Sequence, residues 1–394
     1  LCGFLPVTLL LYYICPSKLK NGFLFLASLF FYALGEPVYV LIMLFSTVFD
    51  YCNGRLIAHF RENSSKNEKI AARAVLLVSI IGNLGILGFF KYTDFILNTI
   101  NAVSGFHIEP LGLALPIGIS FYTFQTLSYT IDVYRGFIPV QKNIISFGMY
   151  VALFPQLIAG PIVRYSDIEK QISKREITYD ACAAGMQRFL AGLGKKVILW
   201  SQIQEQQGGE MSTVLAWLGA IAFTFQIYYD FSGYSDMAIG LGQMLGFDFP
   251  ENFKYPYKSK CITEFWRRWH ITLGGWFREY VYIPLGGNRK GIMRQVLNLF
   301  IVWFLTGLWH GAGWNFICWG LYYFVFLLLE KTLLKNSIAK WPSAIKHIYT
   351  MFIVVIGWVI FSNDKMSDIF SYLKAMFGVG VPLVNELAVY EWCS

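Results

Sequence analysis

Two histidines stand where histidine is costly. His270, in RRWH, and His310, in LWHG, lie beside or inside long apolar stretches, and an ionisable side chain kept at bilayer depth costs roughly a few kcal/mol. An imidazole titrates near neutrality. It can take a proton from a hydroxyl and hand it to a leaving group, which is what acyl transfer to an alcohol requires. Other chemistries lack their residues: there is no HxxxH pair, no CxxC, no GxSxG elbow and no P-loop. General-base acyl transfer is the economical reading.

The elements that must position these histidines can be read from the flanking sequence. His310 falls in a run, 296–329, that contains no Asp, Glu, Lys or Arg and only Asn298, Thr306, His310 and Asn315 as strongly polar members. Basic sequence flanks the run on both sides, which predicts a hairpin with both ends cytoplasmic. Its length falls short of two crossings at about 20 residues each, so the turn at 307–313 is expected deep or near the far side, with His310 at the turn. Gly307, Gly311 and Gly313 leave room there for a substrate or another backbone. The residues alone leave two readings open, a catalytic group or a packing histidine hydrogen-bonded across the bundle.

Around His270, apolar residues at Ile262, Phe265, Trp266, Trp269, Leu273, Trp276, Phe277 and Tyr280 follow the three-and-four alternation of one helix face. The spacing predicts one amphipathic helix at the membrane interface, N-capped by Thr263, with Glu264 paired to Arg268, ending before Pro284 and anchored by three tryptophans. His270 lies on the edge of the stripe, as an interfacial side chain or as a catalytic one. Nine basic residues face two acidic ones between Lys254 and Arg294, which holds most of the net charge of +8. Such a patch marks the cytoplasmic face or receives an anion, such as donor phosphates or lipid headgroups.

Composition sets the class. With 56% hydrophobic, 18% aromatic and 14% charged residues over 394 positions, the chain reads as an all-α polytopic membrane protein. Apolar runs at 23–49, 72–90, 111–131, 145–163, 214–229, 296–329 and 348–361, with shorter pieces between, predict about ten membrane-embedded helices, some broken or re-entrant. The runs do not alternate with period two, which disfavours a β-barrel. Polar insertions are short, at 61–69, 164–179, 202–210 and 331–346, so a single membrane-embedded domain over 1–394 is expected. The seven scattered cysteines, Cys2, Cys15, Cys52, Cys182, Cys261, Cys318 and Cys393, read as small apolar residues. The chain opens at Leu1 in apolar sequence and stops abruptly at Ser394, so further sequence at both ends is expected.

The segments TFQIYYDFSGYSDMAIGLGQMLGFDFPENFKYPY, EFWRRWHITLGGWFREYVYIPLGGNRKG and GLWHGAGWNFICWG closely resemble the membrane-bound O-acyltransferase (MBOAT) family, in the bacterial branch typified by the alginate O-acetylase membrane subunit. LPIGISFYTFQTLSYTIDVYRG and FPQLIAGPIVRYSDI fit the same branch, and the resemblance runs over about 4–373. It implies a ring of helices around a tunnel, donor entering from the cytoplasm and acceptor from the opposite side. By the same resemblance His310 is the general base and His270 a supporting or donor-positioning group. Arg267, Arg268, Trp269, Arg278, Trp309 and Asn315 beside these motifs are expected to bind donor or substrate, with a solvated or headgroup-facing role as the other reading of the arginines. Asp230, Ser232, Tyr234 and Asp236 in DFSGYSD either line the tunnel or form a polar network at a helix break. Gln156 and Asn252 have no assigned role, and His59, His107 and His347 match no motif. No metal and no bound cofactor are expected, and the donor is acetyl-CoA or an acyl carrier protein.

The activity so implied moves acetyl groups out of the cytoplasm for O-acetylation of an exopolysaccharide or cell-wall glycan. It would act in the bacterial cytoplasmic membrane, with a glycan acceptor, membrane lipid and an extracytoplasmic esterase-like transferase as partners, and without nucleic acid. D-alanyl transfer to teichoic acid is the alternative within the family, and a transporter or assembly scaffold the alternative outside it. YIPLGGNRKG favours the acetyl branch. Two features depart from the family's pattern, the shorter C-terminal helical sequence and the Gln/Gly-rich SQIQEQQGGEM.

Overall fold

A computed structural model describes residues 3–62, 65–199 and 211–384 and is helical, with no strand among the described residues. The helices are α1 (Phe4–Ile14), α2 (Lys20–Gly35), α3 (Val40–Glu62), α4 (Lys66–Ser104), α5 (Ile119–Arg135), α6 (Ile144–Ala152), α7 (Tyr165–Ser173), α8 (Tyr179–Gly194), α9 (Thr213–Leu245), α10 (Ile262–Arg268), α11 (Ile271–Phe277), α12 (Ile292–His310), α13 (Trp314–Lys331), α14 (Lys335–Lys340), α15 (Ser343–Ser362) and α16 (Met366–Met376). Five of them, α3, α4, α9, α12 and α15, are long and apolar enough to cross a membrane. The polar insertion at 202–210, Cys2 and Cys393 lie outside the described residues.

The expected single domain comprises two compact units, Leu1–Phe189 with Met237–Pro250 and Leu190–Asp236 with Glu251–Ser394. In the first, the pattern of a soluble core is inverted. Leu41, Phe45, Val48, Leu77, Val78 and Ile81 are exposed, whereas Ser46, Thr47, Asp50 and Asn53 on α3 and Ser79 and Asn83 on α4 are buried. With lipid outside, no hydrophobic force draws helices together, so small and polar residues form the contacts. Gly54 is one: a Cβ there would stand 2.6 Å from the Tyr129 ring. Two apolar runs are shorter helices than their length implies. The run at 111–131 turns helical only at Ile119, after Pro116 and a left-handed Gly118, and the run at 145–163 leaves the helix after Ala152, ahead of Pro155 and the Gly160–Pro161 pair.

The second unit is built on aromatics. Phe265, Trp269, Trp303, Trp319, Tyr323 and Trp358 form one buried cluster, with Trp266 and Trp303 rings 4.8 Å apart and Trp269 and Trp358 also 4.8 Å apart. Here the helix expected around His270 is corrected in three respects. It is two seven-residue helices, α10 and α11, broken at Trp269 and His270, followed by a π-turn over Arg278–Tyr282. Its N-cap is Cys261, whose Sγ accepts the Glu264 N–H, and the Thr263 hydroxyl donates to Glu330 instead. Its tryptophan face is packed against protein: Trp269 and Trp276 are buried, so they are core residues where interfacial anchors were expected. The i,i+4 pair forms as expected, Arg268 to Glu264 at 2.8 Å.

The hairpin forms as the charge-free run predicts. α12 ends at His310 and α13 starts at Trp314, joined by Gly311–Gly313. The two helices approach so closely that a Cβ at Gly307 would lie 2.4 Å from the Phe316 carbonyl oxygen and one at Gly320 would lie 2.3 Å from that of Trp303. No side chain fits there.

Candidate active site

The break between α10 and α11 presents His270. Trp269 is extended and His270 takes a left-handed backbone at φ 45°, a conformation that costs a residue with a Cβ on the order of 1–2 kcal/mol. Backbone from 252–254 holds it: the Lys254 N–H donates to the Arg268 carbonyl and the Ile271 N–H to the Asn252 carbonyl, both at 2.9 Å. From α13, the buried Glu330 carboxylate accepts the N–H groups of Ile262 at 2.6 Å and Thr263 at 2.9 Å and the Thr263 hydroxyl at 2.7 Å. An anion at a helix N-terminus satisfies donors that α10 cannot pair internally. Strain fixed from two sides in this way is characteristic of functional sites.

The His270 side chain is 2% exposed. Its Nδ1 lies 3.0 Å from Asn252 Oδ1, its ring packs edge-on against Phe231 of α9 with centroids 4.7 Å apart, and its Nε2 has no hydrogen-bond partner among the described residues. Burial, and secondarily the charge of His310, push its pKa well below the ordinary histidine value, so His270 is neutral at physiological pH. Trp309 stands between the two histidines, its ring 5.7 Å from that of His270 and 5.0 Å from that of His310. Trp319 and Phe361 complete the box around His310 at 4.9 and 5.3 Å. Both groups are thus held in apolar, aromatic surroundings close enough to sense each other's charge.

A cavity of about 1020 Å³ has His270 in its lining. Five cationic side chains line it, Arg267, Arg278, Arg289, Lys290 and Lys331, with no carboxylate among the lining residues; Trp266, Trp269 and Trp303 supply aromatic wall. Cations without acids bind an anion, and aromatic walls bind an apolar or amide-bearing arm.

The sequence-selected residues separate under this geometry. His270, Arg267, Trp269 and Arg278 line the cavity, and Trp309 joins it to His310 by ring contact. Arg268 does not line it; it pairs with Glu264 and donates to the Lys254 carbonyl. Asn315 donates to the Phe361 carbonyl at 3.3 Å, tying α13 to α15. Asp236 pairs with Lys195 at 2.6 Å and Asp230 with Lys196, beside the π-turn that follows α8. Neither aspartate, nor Ser232 or Tyr234 between them, lines the cavity; Ser232 is buried and Phe231 is the member of the motif that touches His270. Sequence reasoning passed over Asn252, Glu330 and Phe231. Only Glu330 carried a signal, as the acid that closes an otherwise charge-free run.

Residues 138–367 match the membrane-bound O-acyltransferase family. The chain is 43% identical over 393 residues to the probable alginate O-acetylase AlgI of Pseudomonas aeruginosa, covering 98% of this chain and 75% of that protein. It is 36% identical over 426 residues to a peptidoglycan O-acetyltransferase of Helicobacter pylori, covering 97% and 80%. To a teichoic acid D-alanyltransferase of Bacillus subtilis it is 28% identical over 281 residues, covering 65% and 71%. With the histidine pair, the cation-lined cavity and the apolar helices that carry them, these similarities establish that the chain is a multi-pass membrane acyltransferase belonging to the MBOAT family, of the AlgI type.

Proposed function

We propose that the protein acetylates hydroxyl groups of an exopolysaccharide or cell-wall glycan at the bacterial cytoplasmic membrane, drawing on a cytoplasmic acetyl thioester. The observation that carries this reading is the cavity, which is lined by cations and by a neutral histidine that shares Trp309 with a second histidine. Acetyl-CoA, or an acyl carrier protein's phosphopantetheine arm, combines phosphate with an amide-rich chain and suits such a lining. Greater similarity to O-acetyltransferases than to the D-alanyltransferase favours acetyl over D-alanyl.

In the reaction, His310 accepts the proton of the acceptor hydroxyl as its oxygen attacks the thioester carbonyl. The tetrahedral intermediate collapses by breaking the C–S bond, and the proton passes to the departing thiolate, leaving ester and thiol. The acceptor is the glycan or an extracytoplasmic esterase-like transferase that passes the group on. The test is incorporation of labelled acetate into surface glycan by cells carrying the protein or its His310→Ala form, at matched membrane abundance. Loss in the variant supports transfer through His310, and equal labelling moves a transporter or scaffold role to the front.

A further inference from the structure

We propose that Asn252 is a positioning residue whose Oδ1 fixes His270 as the Nδ1–H tautomer, so that this cavity-lining histidine offers a hydrogen-bond acceptor, Nε2, and not a donor.

The argument is a count of protons. Asn252 is 1% exposed, and its amide orientation is settled by its neighbours: the oxygen receives the Thr272 hydroxyl at 2.9 Å and the Thr272 N–H at 3.4 Å, while Nδ2 donates to Ser235 Oγ at 3.1 Å. A flipped amide would set N–H against N–H at Thr272. Oδ1 carries no proton, so the 3.0 Å contact with His270 requires the proton to sit on Nδ1. In a neutral imidazole Nε2 is then a bare lone pair, and it has no partner among the described residues although His270 is 98% buried and lines the cavity. The titratable group whose charge bears on His270 is His310 of α12, which disfavours a second proton; Phe231, Trp309 and Asn252, packed against it, carry no charge.

The consequence for catalysis rests on the acyl-transfer reading above. A lone pair cannot stabilise the oxyanion of a tetrahedral intermediate, but it can accept an amide N–H of the donor arm or the acceptor hydroxyl. His270 thus orients a reactant while His310 takes the proton. The helix break serves this end, because the Asn252 backbone and side chain hold His270 through Ile271 N–H and Nδ1 together.

The first test does not depend on any transfer activity. In ¹⁵N-histidine NMR of the full chain in nanodiscs, with the His270 signals assigned by their loss in His270→Gln, Nδ1 is protonated and Nε2 bare at neutral pH. An Nε2–H in the wild-type protein overturns the proposal. Asn252→Ala releases the tautomer to a mixture and lowers kcat by about 10- to 100-fold, the size of effect known for the outer partners of metal-bound histidines, with donor KM little changed. Asn252→Asp keeps the acceptor and adds a charge that favours imidazolium, so the acid limb of the kcat profile moves to higher pH. A folded Asn252→Asp protein whose His270 carries its proton on Nε2 also overturns the proposal. Should Asn252→Ala fail to fold, the wild-type and Asn252→Asp spectra still decide.

Discussion

Two regions place an ionisable residue among apolar helices, and they treat it oppositely. In the first unit, Asp50 of α3 is fully buried, and its carboxylate accepts the Ser79 hydroxyl and the Asn83 amide, each at 2.7 Å, while Thr126 and Thr130 extend the network to α5. In the second unit His270 is as deeply buried and lines a cavity, but one of its nitrogens is bonded and the other is buried with no partner among the described residues. A buried polar group costs free energy unless its bonds are made. A saturated one is structure; an unsaturated one held under strain is a group awaiting a partner. Depth in the membrane is therefore less diagnostic than the completeness of the hydrogen bonds.

Exchanging the two kinds of residue tests that distinction with the largest effects. His310→Ala is expected to lower acetyl transfer by about 10²- to 10⁴-fold while thermal unfolding in detergent stays near that of the parent. Asp50→Ala is expected to do the reverse. Leaving Ser79 and Asn83 without their acceptor costs about 1–3 kcal/mol, seen as a lower unfolding temperature and reduced membrane abundance, with turnover per folded molecule retained. A stable, inactive Asp50→Ala protein would break the comparison.

The cavity sharpens it at a smaller scale. Reversing Arg278 or Lys290 to Glu is expected to raise donor KM by about fivefold per charge, from roughly 1 kcal/mol per exposed ionic contact, and to flatten its salt dependence. Titration separates the histidine from the aspartate again. Because the folded state holds His270's pKa below the unfolded value of about 6.5, the unfolded chain binds the extra proton first. Stability from this group is complete above about pH 6.5 and is lost as pH falls below it, at no more than about 1.4 kcal/mol per pH unit. Chemical denaturation of the wild type and His270→Asn between pH 7 and pH 5 should show this slope only in the wild type.

What the sequence reveals follows the range of the forces involved. The α12–α13 hairpin and the place of His310 were legible because a charge-free run, its glycines and its flanking bases are local. The break at His270 was not. The helical spacing of tryptophans continues through it, and the residues that enforce it, Asn252 and Glu330, bond across 18 and 68 positions of sequence. The same spacing reads alike whether an aromatic face meets lipid or, as here, Trp303, Trp319 and Trp358. Asp230 and Asp236 were readable as costly carboxylates, but their partners Lys195 and Lys196 come from the π-turn that follows α8.

The smallest effect bears on the arginines, which the sequence grouped together and the fold separates. Arg267 and Arg278 line the cavity, whereas Arg268 spends its guanidinium on Glu264 and the Lys254 carbonyl. A partly exposed i,i+4 pair contributes about 0.3–0.5 kcal/mol. Arg268→Ala should therefore shift the unfolding transition by little more than its error and leave donor KM unchanged, while Arg267→Ala raises that KM in the same assay. Equal KM effects from both would mean that the donor reads the whole basic patch as a diffuse field and that the cavity does not select it.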